Sequence, residues 1–130
     1  MRPLKSVLAL TLGAVVLFSS SGCSPKEVQV QVNGTAGKLL DVVTSAISKN
    51  ATLLVQDAST RVGKAATYKE GDDGSNWTIV GLCADAETIE AAKTIEVAVI
   101  PTSSASKEVE EDIKQGKFKS TVACDGLKYR

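Results

Sequence analysis

The sequence predicts an α+β fold: a small, mostly antiparallel sheet with one packed helix, extended toward the C-terminus by a second helix and a last strand. Two observations carry this. Several short runs alternate apolar and polar residues at the two-residue period of a strand, and two runs repeat at helical spacing. In chain order they read strand, helix, three strands, helix, strand, which is an α+β pattern.

Val28, Val30 and Val32 alternate with Gln29 and Gln31, as in a half-buried strand, and Asn33-Gly34 closes it. Ala36, Leu39, Leu40, Val43, Ala46 and Ile47 fall on one helical face, with Thr35 as N-cap and Lys49-Asn50 as the stop. Thr52 to Asp57 reads as the second strand. Ala58 to Ser75 is polar and contains Gly71-Asp72-Asp73-Gly74, so it reads as a loop. Trp77 to Cys83 is the third strand, and Ala84 to Lys93 a connection with helical turns. Ile95, Val97 and Val99 alternate with Glu96 and Ala98 in the fourth strand, which Pro101 stops.

Thr102 to Ser106 is a linker of small residues. Lys107 to Gln115 reads as a short helix capped by Ser106, with Val109 and Ile113 inward. Its acidic residues come early and Lys114 late, as the helix dipole favours, and Gly116 ends it. Phe118, Ser120, Val122 and Cys124 then share one face of the last strand, which turns Cys124 inward toward Cys83.

The chain opens differently. Arg2 and Lys5 precede an uncharged apolar run from Val7 to Phe18, followed by Ser19, Ser20, Ser21, Gly22 and Cys23. That is the order of a secretory signal peptide, here residues 1–22. The apolar run is about 12 residues, against roughly 20 for a bilayer span, and it lacks the polar face of a globular helix.

The small residues ending in Gly22-Cys23 resemble the lipobox of bacterial lipoproteins. The resemblance implies diacylglyceryl on the Cys23 thiol and cleavage before it. Residues 23–27 become a lipidated tether, and the membrane becomes a partner through that lipid, on the extracytoplasmic face of the cell membrane. Ser20 stands where the family usually has an aliphatic residue. Ser19 and Ser21 also suit ordinary signal peptidase, which would release a secreted protein.

The chain has 130 residues and three cysteines. With Cys23 lipidated, Cys83 and Cys124 remain as a pair for one disulfide in an oxidising compartment. It would close a long loop, worth roughly 4 kcal/mol in the chain-entropy model. A reactive thiol is the alternative, but neither residue has a C-x-x-C or His neighbour.

Residues 23–130 suffice for one small domain. Without Arg2 and Lys5, acidic side chains outnumber basic ones by two. That balance argues against nonspecific nucleic-acid binding and against a polybasic membrane patch. Histidine is absent, which excludes a His-based triad, a His zinc ligand and an imidazole pH switch.

Asp57-Ala58-Ser59 with Arg61, then Asn76-Trp77-Thr78-Ile79-Val80, then Thr94-Ile95-Glu96-Val97-Ala98-Val99-Ile100 resemble the corresponding segments of PASTA-like domains. These are small modules of actinobacterial envelope proteins, penicillin-binding proteins and receptor kinases. The likeness spans 28–101, with 102–130 as a helix-strand extension closing the same domain. The family's Pro-Asp-Val-Val-Gly entry is replaced by Val32-Asn33-Gly34-Thr35. Its Gln-x-Pro-x-x-Gly turn is replaced by Leu82-Cys83-Ala84-Asp85. The resemblance implies a helix packed on a sheet, extracytoplasmic binding that includes cell-wall fragments, and no catalysis.

Candidate chemistry is sparse. Glu70, Asp72, Asp73 and Asp85 lack the spacing of a calcium loop and read as a solvated acidic turn. Glu108, Glu110, Glu111 and Asp112 point several ways from a helix and read as a charged solvent face. Ser104-Ala105-Ser106-Lys107 spells Ser-x-x-Lys, but without that enzyme class's partner motifs. Trp77 reads as a core anchor, the alternative being a ligand-stacking platform. Lys117, Lys119, Lys128 and Arg130 form a basic end that suits either anionic envelope polymer or plain solvent exposure.

The expectation is therefore a noncatalytic, lipid-anchored binding lipoprotein of the cell envelope. It has no catalytic residue, cofactor or metal, and it meets cell-wall polymer or an envelope protein. One alternative is a phage or prophage superinfection-exclusion lipoprotein acting at the membrane. The other is a small secreted hydrolase.

Overall fold

The computed structural model describes residues 28–130. The expected signal peptide, 1–22, and the expected lipidated tether, 23–27, with Cys23, lie outside these residues. The described chain is α+β, in the order α1 (Leu40–Ala46), β1 (Thr52–Asp57), β2 (Trp77–Ala84), β3 (Thr94–Pro101) and α2 (Lys107–Lys114), with short 3₁₀ turns between.

The three strands form one sheet in the order β1-β3-β2. β2 runs antiparallel to β3, but β1 runs parallel to it, from Thr52 opposite Thr94 to Asp57 opposite Val99. The sheet is thus mixed rather than mostly antiparallel. Periodicity shows that a segment is a strand but not which neighbour it takes.

β3 is the central strand, and both of its faces are covered. Ile95, Val97 and Val99 enter a core with Leu40 and Val43 of α1, Trp77, Ile79, Leu82 and Ile89. Ala98 and Ile100 enter a second core with Val80, Ile113 of α2, Phe118 and Val122. Glu96, which alternates with the apolar residues of β3, is only 6% exposed, because the C-terminal segment lies over it.

The predicted strand 28–32 is not a sheet strand. Val30 and Val32 turn inward as expected, with Gln29 and Gln31 exposed, but Val28, expected inward, is 93% exposed. The segment's partner is the turn-rich connection after β2. Val32 N–H donates to Glu87 O, Ile89 N–H to Val30 O, and a single bridge joins Gln31 and Thr88. A turn cannot offer a continuous ladder.

The first helix starts later than Thr35 and ends at Ala46. Gly37, at φ +94°, lies outside helical space. Its N–H donates to Ile79 O, and Ile79 N–H donates to Lys38 O, so the segment is paired with β2. Thr35 is buried, and its hydroxyl donates to Gln31 O instead of capping a helix.

α2 matches its prediction. The Ser106 hydroxyl accepts from Val109 N–H at 3.2 Å, and Gly116 adopts φ +76° just past the helix. The expected last strand is instead a 3₁₀ turn at Lys119–Thr121. Phe118, Val122 and Cys124 are still buried, but Ser120 is exposed. The Thr121 hydroxyl and N–H both close on Phe118 O, which uses locally the groups a ladder needs. Gly81 makes the close approach possible, since a Cβ there would sit 3.1 Å from Phe118 O.

Candidate functional site

The described residues hold three features with functional bearing: a disulfide clamp at the C-terminal end, a self-tied acidic loop, and a groove beside the outer edge of β1.

The clamp joins Cys83 of β2 to Cys124, with Cα atoms 5.8 Å apart. A β-bulge between Ile79 and Gly81 puts it there. Before the bulge, Trp77 and Ile79 face the α1 side; after it, Leu82 and Ala84 do, and Cys83 turns to the other face. There the Glu96 carboxylate accepts Ala123 N–H at 2.9 Å and Cys124 N–H at 3.2 Å. Cys83 and Glu96 are cross-strand partners, so disulfide and carboxylate both hold the tail at Cys124, and the carboxylate holds Ala123 as well. Beyond them, Ala84 and Tyr129 exchange two backbone hydrogen bonds.

The loop from Ala58 to Ser75 hangs on Asp57. Its carboxylate accepts the Ser59 hydroxyl, Ser59 N–H at 2.9 Å and Tyr68 N–H at 2.8 Å. Burial raises the Asp57 pKa, but these hydrogen bonds together outweigh it and hold the carboxyl below its ordinary value. The Tyr68 ring meets Trp77 edge-on at 5.1 Å between centroids. Trp77 is only 6% exposed, which makes it a core anchor and leaves no stacking platform.

The acidic residues are spent locally. Asp73 accepts the N–H and hydroxyl of Ser75, which hold its carboxyl below the ordinary value, the backbone bond contributing most. Asp72 accepts Lys69 N–H, and Asp85 accepts the N–H groups of Lys93 and Thr94. Among the described residues, no three Cys, Asp or Glu side chains come together as a metal site. Ser104, the serine of the Ser-x-x-Lys sequence, lies in a 3₁₀ turn at Thr102–Ser104, and the intervening Ser106 is occupied as the α2 cap. In the basic end, Lys117 pairs with Asp112 at 3.0 Å.

A groove of about 500 Å³ runs beside β1, between Leu53, Leu54 and Val55 and the loop residues Tyr68, Glu70 and Asp72. Leu54 is 47% exposed, because the layer formed by α2 and the tail covers β2 and β3 but not β1. Burial pushes the Tyr68 hydroxyl pKa up, and the nearby charges of Asp72 and Glu70 push it further, so negative potential reaches this groove. A larger groove, about 1350 Å³, lies between residues 28–31 and α1. Among the described residues that line it, the one ionisable group is Glu90, which already accepts Val30 N–H with both oxygens.

The Cys83–Cys124 pairing was legible from cysteine counting. The β1 groove was not. Its only sequence signal is a strand, Thr52–Asp57, without Lys, Arg or Pro.

No protein-family model matches the chain, and neither a curated protein nor a solved structure matches it. Among the described residues no helix is long and apolar enough to cross a membrane.

Proposed function

We propose that the protein is a noncatalytic binding lipoprotein of the bacterial cell envelope, tethered to the outer face of the cell membrane by lipid on Cys23. The observation that carries this is the Cys83–Cys124 disulfide. Disulfides persist in oxidising, extracytoplasmic compartments. Pairing these two leaves Cys23 as the third cysteine, at the end of a leader with the n-, h- and c-region order of export. A helix packed on a three-stranded sheet also agrees with the PASTA-like resemblance, which points to binding of cell-wall polymer or an envelope protein.

Intact mass of the membrane-extracted protein tests the anchor. The expected species begins at Cys23 and carries diacylglyceryl, and Cys23→Ser abolishes the added mass. An unmodified secreted chain would overturn the anchor. Pull-down against peptidoglycan and envelope proteins tests the binding role, and capture of nothing counts against it.

A further inference from the structure

The two outer edges of the sheet are treated differently by the chain. β2 is closed at both ends: Gly37 and Lys38 bond to Ile79, and Tyr129 bonds to Ala84. β1 receives no such cover from the described residues. In a parallel ladder, the N–H and C=O of one residue point to one neighbour and those of the next residue to the other. Thr52 N–H donates to Lys93 O and Ala58 N–H to Val99 O, so even-numbered positions face β3. Leu53 and Val55 therefore direct their N–H and C=O groups outward, into the groove beside Glu70 and Asp72. Proteins ordinarily blunt such an edge with Lys, Pro or a bulge. β1 reads Thr-Leu-Leu-Val-Gln-Asp and pairs with β3 without a register shift.

We propose that β1 accepts an extended, basic polypeptide segment as a fourth strand. This deepens the binding role proposed above and rests on it. Main-chain hydrogen bonds to Leu53 and Val55 supply the ladder, and alternate side chains of the guest supply specificity. An apolar side chain fits on the α1 side of the edge, against Leu53, Val55 and Tyr68. A Lys or Arg answers Glu70 and Asp72, since the described residues that line the groove include no Lys or Arg. The same two carboxylates disfavour a second copy of this chain, which would bring its own Glu70 and Asp72 toward the groove.

The test uses the full chain, produced with its leader and extracted in detergent. The probe is a fluorescein-labelled octapeptide, Lys-Val-Lys-Thr-Lys-Val-Lys-Thr. Fluorescence anisotropy is expected to show binding. Two control peptides, one with Glu for every Lys and one N-methylated at every amide, are expected not to bind. Glu70→Lys weakens binding about ten-fold through charge reversal. Val55→Pro, which removes an outward N–H that the ladder does not use, abolishes it. Circular dichroism confirms folding. If Val55→Pro unfolds, the exposed-loop variant Glu70→Lys decides.

No binding, equal binding of the N-methylated peptide, indifference to both variants, or a β1-dependent homodimer would each overturn the proposal. Envelope pull-down separates it from the broader role. Capture that survives Glu70→Lys and Val55→Pro refutes the edge site and leaves the role standing. Peptide binding without any envelope capture does the reverse.

Discussion

Trp77 and Cys83 face opposite sides of β2 although both hold odd-numbered positions on it. An unbroken strand would put them on one face. The bulge between Ile79 and Gly81 inserts one residue and reverses the parity. Trp77 therefore anchors the α1 core while Cys83 reaches Cys124 in the other layer. The bond spans 41 positions. Replacing both cysteines by Ser is expected to lower unfolding free energy by about 4 kcal/mol in urea titrations. Nonreducing mass mapping should recover a linked Cys83–Cys124 peptide pair, and free thiols at both positions would refute the clamp.

Glu96 gives the same junction a second hold. Its carboxylate accepts two backbone N–H groups, from Ala123 and Cys124, at a position nearly closed to water. Glu96→Ala leaves both donors unpaired and is expected to destabilise by about 3 kcal/mol, with the disulfide intact. Glu96→Gln keeps one acceptor oxygen and should cost less. Equal stability of all three proteins in urea would show that water replaces the carboxylate.

Much of this frame was legible in the sequence, and the failures have physical reasons. Thr52–Asp57, Trp77–Ala84, Thr94–Pro101 and the capped helix after Ser106 lie within a residue or so of their predicted places, because each carries local signals that no neighbour overrides. Val32 and Val122 are buried as their alternation implied, yet neither lies in a sheet strand. Alternation reports which side chains turn inward, and a ladder also needs a partner with a free edge. The parallel pairing of β1 with β3 was invisible for a related reason: strand order is a property of the whole chain. The open β1 edge follows from that order, so the candidate docking surface could not be read from Thr52–Asp57 alone.

Asp57 gives the long loop a pH dependence of calculable sign. Its folded-state pKa lies below the unfolded value of about 3.9. The ionised carboxylate therefore stabilises the fold above that value, and its contribution is lost as pH falls through the lower folded value. Asp57→Asn should be less stable than wild type at about pH 7, and the gap should narrow at about pH 2. A gap of equal size at both pH values would place the effect in Asn packing instead of in the charge.

Trp77 is the only tryptophan, which makes its surroundings directly observable. Buried at the head of β2 and packed against the Tyr68 ring, it should emit at short wavelength, resist iodide quenching and shift red on unfolding. Trp77→Ala is expected to cost about 3–5 kcal/mol. Strong quenching of the folded protein would instead indicate an exposed ring.

Gly74 sits where the turn leading into β2 meets the start of α1. A Cβ at this position would lie 2.7 Å from Asp41 N and 2.9 Å from Asp41 Cα. Both contacts are backbone, so no side chain can swing away to make room. Gly74→Ala is therefore expected to destabilise by about 1–3 kcal/mol as an overpacking change, although alanine favours most local conformations over glycine. The strain should appear first in α1, as faster amide exchange in the helix between Asp41 and Ala46, while β3 keeps its protection. Ser106→Ala provides the contrast. It removes the cap of α2 on the other side of the sheet, costs about 1 kcal/mol, and should leave α1 exchange unchanged. If both variants speed exchange equally in α1 and α2, the two layers unfold as one unit and the steric reading of Gly74 fails.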